Sequence, residues 1–194
     1  MANLQRYLSA SKYIDWQHPA VLKCALELKQ GDSDKYAIAE RCFLYVRDHI
    51  KHSWDFQLNP VTCKASDVLL HTTGFCYAKS HLLAALLRAN GIPAGLCYQR
   101  LTIDGETPPF CLHGLNAIYL DNFGWFRVDA RGNKEGVNAQ FNPSREVLAF
   151  PIKYEGEADL QGVWPEPINE VINTLESHSD IKAVMQNLPD ITVF

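Results

Sequence analysis

The sequence predicts an α+β domain, and three observations predict it. Up to Gly91 the apolar residues recur mostly at helical spacing; beyond it they alternate as strands do. The two clearest strand segments flank Asp121-Asn122-Phe123-Gly124, which has hairpin-turn composition. Helices first and an antiparallel meander afterwards is the α+β order. With 194 residues, 47% of them hydrophobic and 21% charged, the chain reads as one globular domain, 1–194, with a sizeable core. A net charge of −4, with acids and bases interspersed, leaves no basic footprint for nucleic acid. No stretch nears the roughly eighteen apolar residues of a membrane-spanning helix, so no membrane partner is expected.

The elements follow in order. Residues 1–17 are polar-aromatic, anchored by Tyr7, Tyr13, Ile14 and Trp16, and residues 1–10 lack the apolar run of a secretory leader. Pro19 suits the first turn of a helix that Gly31 ends. Asp32-Ser33-Asp34 caps a second helix, whose apolar face carries Ile38, Cys42, Phe43, Val46 and Ile50. Residues 51–62 read as a loop, and Ser66 caps a short helix through Val68, Leu69 and Leu70. A central helix comes next, N-capped by Thr73, closed by Asn90-Gly91 and kept from resuming by Pro93. Leu82, Leu83, Leu86 and Leu87 form its buried stripe, with Lys79, His81 and Arg88 on a wetter side. Strands are expected at 94–101, 113–120, 125–130 and 147–152, and terminal helices at 165–174 and 179–188.

Cys76 lies in the first turn of the central helix. Unpaired amides and the positive end of the helix dipole stabilise a thiolate relative to a thiol at such a place. A nucleophile also needs a base and an orienting acceptor. His113 opens one strand of the hairpin and Asp129 nearly closes the other; a hairpin symmetric about Asp121 sets them opposite each other on one face. Imidazole and carboxylate then complete a Cys-His-Asp set suited to acyl transfer, with the Cys76 backbone amide helping to hold the oxyanion. Gln57 and Trp54, in the loop before the cysteine, are the candidates for a side chain that supports it.

Gly74-Phe75-Cys76 opening a helix that runs to Leu86-Leu87-Arg88 and Gly91-Ile92-Pro93-Ala94 resembles the transglutaminase-like superfamily. So do Ala65-Ser66-x-Val68-Leu69 upstream, and His113 heading a strand that leads to Trp125-Phe126-Arg127-Val128-Asp129. The resemblance spans about residues 36–135, leaving about 144–194 as a C-terminal extension. It implies a papain-like fold, Cys76 as nucleophile, His113 as base and Asp129 as orienting residue, in a bacterial-type branch. Two departures stand out: His113-Gly114-Leu115 where the family often has His-Ala-Trp, and Asp129-Ala130 where it often has Asp-Pro.

The expected activity is hydrolysis of a peptide or isopeptide bond. Transamidation of a glutamine side chain is the alternative from the same chemistry, and a non-catalytic binding module the alternative from another class. A peptide or protein is the expected partner, with no cofactor or metal. His49, His52 and the Cys111-Leu112-His113 triplet lack the tight paired spacing of zinc sites, and no calcium-loop pattern appears. Six cysteines (24, 42, 63, 76, 97 and 111) without a C-x-x-C pair read as reduced thiols in the cytoplasm.

Overall fold

The computed structural model describes residues 4–192. Residues 1–3 of the polar-aromatic N-terminal stretch lie outside it, as do residues 193–194. In chain order the elements are α1 (Pro19–Lys29), α2 (Lys35–His49), β1 (Lys51–His52), α3 (Ala65–His71), β2 (Thr73–Gly74), α4 (Cys76–Ala89), β3 (Ala94–Thr102), β4 (Phe110–Leu120), β5 (Gly124–Val128), β6 (Ala158–Asp159), α5 (Asn169–Glu176) and α6 (Ile181–Gln186). No helix among the described residues is long and apolar enough to cross a membrane.

The larger sheet is antiparallel, in the order β5-β4-β3-β6. Helix α4 lies between it and the helices α1, α2 and α3, so it is enclosed on every side. That explains its composition. The four leucines of the stripe are fully buried, and so are Ala78, Ala84 and Ala85, whose small side chains let neighbouring elements approach. The expected wetter side does not exist: Lys79, His81 and Arg88 are buried too. Each bonds main-chain carbonyls, Lys79 those of Ile50 and Arg47, His81 through Nδ1 that of Cys63, and Arg88 those of Ser9, Ala94 and Pro165. Buried polar side chains persist where their hydrogen bonds are made, and here they lace loops to the central helix.

The boundaries show what local signals miss. Asp34 caps α2 as expected, its carboxylate accepting from the Tyr36 amide. Thr73 is not the N-cap of α4: it belongs to β2, paired in parallel with β1, and its hydroxyl donates to the Lys51 carbonyl. Phe75 takes the cap position instead, without a side-chain bond. Lys64, not Ser66, caps α3; the Ser66 amide donates to the Asp15 carboxylate. Asn90 keeps a negative φ, and Gly91 takes the left-handed turn at φ 69°. Residues 147–152 form no strand; the fourth strand of the sheet is the short β6.

Candidate active site

The site is built where the N-terminus of α4 meets β4. Strand β2 hands the chain to Phe75, and Cys76, itself 97% buried, opens the helix. Gly114 on β4 allows the close approach. A Cβ there would come within 2.8 Å of the Tyr77 ring and 3.1 Å of its Cα, so the glycine makes room for the residue that follows the cysteine. Tyr77 locks the contact by donating its hydroxyl to the Leu112 carbonyl. The departure from His-Ala-Trp thus has a steric reason in this chain. With strand and helix this close, the Gly114 amide donates to Cys76 Sγ at 3.4 Å.

His113, one residue earlier on β4, lies close enough to the Cys76 sulfur for it to raise the proton affinity of the ring. Its Nε2 lies 2.7 Å from Asp129 Oδ2, which leaves Nδ1 for the sulfur. Asp129 is fully buried and accepts two further bonds, from the amides of Arg131 (3.0 Å) and Ala149 (3.1 Å). The hairpin reaches this arrangement by a register other than the symmetric one expected. Ala117 pairs with Arg127 and Leu120 with Gly124, so the same register carried on would set His113 against Arg131. Asp129 lies one step beyond the last paired residue, Val128, and meets His113 diagonally. The shift is two residues, an even number, and both side chains stay on one face.

Electrostatics follow from this burial. Desolvation pulls the His113 imidazolium down, but the charge of Asp129, the adjacent Cys76 sulfur and the hydrogen bond to Asp129 outweigh it and push its pKa up to about 10. Burial works to raise the Asp129 carboxyl, and His113 with the two amides holds it below 3.8 instead. The site therefore favours a charged imidazolium against a charged carboxylate. Arg127 plays no part in it: its guanidinium is taken by Glu146 and Asp159.

A cleft of about 280 Å³ opens over these groups. Leu101, Ile103, Leu112, Phe150, Met185 and Leu188 give it apolar walls, with Asp104 and Lys134 among its charged residues. Of the two side chains expected to support an oxyanion, Trp54 lines the cleft. Gln57 is exposed, outside that lining, and donates its amide back to the Trp54 carbonyl. Cys111 also lines the cleft; burial pushes its thiol up to about 12, which keeps it protonated. Sequence reasoning missed His52 and Phe150. His52 sits on β1, a two-residue strand with no periodicity to detect, and reaches the cleft because β1 pairs with β2 directly before Cys76. Phe150 packs edge-on against His113 with ring centroids 5.1 Å apart.

Comparison with known proteins places the fold in a family. A model of the transglutaminase-like superfamily matches residues 23–130, the segment that contains Cys76, His113 and Asp129. The crystal structure of a "putative cysteine protease" from Cytophaga hutchinsonii shares the fold, with a TM-score of 0.53 and 20% identity, covering 68% of this chain and 43% of its own. The periplasmic domain of TgpA from Pseudomonas aeruginosa superposes with a TM-score of 0.49 and 23% identity, covering 66% of this chain and 46% of its own. The chain thus spans less than half the length of either structure. No curated protein matches it.

Proposed function

The chain belongs to the transglutaminase-like superfamily, and from that premise we propose that it cleaves an amide bond of a peptide or protein through a thioester on Cys76. One observation carries the reading: a single imidazole, His113, lies against the Cys76 sulfur on one side and hydrogen-bonds a buried carboxylate on the other.

The Cys76 sulfur attacks the carbonyl carbon; the C–S bond forms as the π pair moves to oxygen, and the Cys76 backbone amide, unpaired in the first helical turn, faces that charge. Collapse of the intermediate breaks the C–N bond, and the His113 imidazolium passes its proton to the departing amine. Water then adds to the thioester while His113 accepts a proton, and the thiol leaves. Asp129 keeps the ring oriented and its charge compensated throughout. Water needs no binding site of its own, which favours hydrolysis over transfer to an amine. The six cysteines are all free, and we place the protein in a reducing compartment, the cytoplasm.

The test is a peptide library incubated with wild type and with Cys76→Ala. Cleavage by the wild type alone is the expected result. Equal release by both, or a Cys76 alkylated no faster than the other five cysteines, overturns the reading; incorporation of an added amine at glutamine without cleavage replaces it with transamidation.

A further inference from the structure

We propose that His52 supplies the side-chain hydrogen bond to the oxyanion, donating from Nε2 opposite the Cys76 backbone amide. The proposal rests on the acyl-transfer reading and assigns the one group that reading leaves without a residue. It replaces Gln57, which faces away, and competes with Trp54.

Four observations place His52 there. Strand β1 pairs with β2 so that His52 stands beside Gly74, two residues before the nucleophile, and the Ser53 amide donates to the Gly74 carbonyl at 3.0 Å. The His52 ring packs on Phe75, the residue preceding Cys76, with centroids 4.9 Å apart. The side chain lines the cleft together with Cys76 and His113. It is 96% buried, and its Nδ1 is enclosed without a hydrogen-bond partner, which leaves Nε2 as the nitrogen open to a ligand.

Nδ1 lies 3.7 Å from Asp55 Oδ2, beyond hydrogen-bond reach. Both Asp55 oxygens are already taken, by a bidentate pair with Arg131 (2.6 and 2.9 Å) and by Lys134 (2.8 Å). At 3.7 Å no hydrogen bond fixes a proton on Nδ1, and in the proposed role it sits on Nε2, where it can donate into the cleft. Burial first, and then the Arg131 charge, drive the His52 imidazolium well below 6.5, so the ring stays neutral while His113 carries the charge. A neutral donor suits the task, because it steadies a developing negative charge without competing for the proton that His113 must deliver. The same loop serves both imidazoles: the Arg131 amide holds Asp129, and its guanidinium holds Asp55.

Two probes of Cys76 separate this role from others. Iodoacetamide alkylates sulfur by displacing iodide and builds no oxyanion. A short peptide aldehyde adds sulfur to its carbonyl and leaves an oxygen where the oxyanion forms. His52→Ala should weaken aldehyde binding about 100-fold while alkylation of Cys76 stays within about twofold, and His52→Gln, which keeps a donor, should recover part of the loss. Unchanged aldehyde affinity in His52→Ala overturns the proposal, as does alkylation falling in step with it, or a loss found in Trp54→Phe instead. With wild-type alkylation fast, those results leave the acyl-transfer reading standing. A wild-type Cys76 that neither alkylates selectively nor takes the aldehyde overturns both.

Discussion

Replacing Asp129 by asparagine keeps the size of the side chain and removes its charge, and the structure lets the consequence be worked out. Raising His113 from 6.5 to about 10 corresponds to a preference of about 5 kcal/mol for the imidazolium. Burial alone opposes that preference, and Asp129 is the largest contribution in its favour. An asparagine oxygen can still accept from one backbone amide, but its NH2 group must then face either His113 or another N–H. Most of the preference is therefore lost, the ring is neutral near pH 7, and the thiol keeps its proton. Alkylation of Cys76 by iodoacetamide, followed by intact mass, should slow by about 10² to 10³ at pH 7, short of the ~10⁴ that an analogous change costs turnover in a serine protease. The stability difference has its own window. A His113 pKa raised in the folded state contributes fully below 6.5 and is lost as pH rises toward 10; the lowered Asp129 contributes above 3.8 and is lost as acid protonates it. The variant should thus melt furthest below wild type near pH 5 to 6 and least near pH 10. A folded Asp129→Asn protein with the wild-type alkylation rate, or a melting difference that does not change with pH, would refute the reasoning.

Three further changes test the surroundings. Gly114→Ala forces a Cβ against Tyr77 and should cost about 1–3 kcal/mol in denaturant unfolding, with slower Cys76 alkylation as β4 moves off the helix; wild-type values for both would show that the close approach is dispensable. Arg131→Met leaves Asp55 with Lys134 alone and should lower stability by about 3 kcal/mol, and a loss below about 1 kcal/mol would place that pair among ordinary surface contacts. Lys79 is brought down to about 7, by burial first and by Arg131 second, so its charge costs stability below pH 7 and the cost fades as pH rises to 10.5. Lys79→Met should therefore compare better with wild type at pH 6 than at pH 10, by a melting difference of about 2–4 °C or more; a pH-independent difference would contradict it.

Residue type and spacing carried much of this protein openly. The leucine stripe, the Asp34 cap, Gly91 and Pro93, and the turn at 121–124 are local signals, and each states its backbone consequence within a few residues. Cys76 at a helix start, and His113 and Asp129 on one face, followed from period and parity alone, since a register error of two leaves the face unchanged. Tertiary structure decided what those periods do not encode. The two-residue pairing of β1 with β2 turned an expected cap into a strand and brought His52 to the cleft. Enclosing α4 on all sides took Lys79, His81 and Arg88 out of water, an outcome set by carbonyls up to 79 residues away in sequence. Hydrogen bonds and desolvation depend on which distant groups arrive, so the proton affinities of His113 and His52, opposite in direction, exist only once the chain has folded.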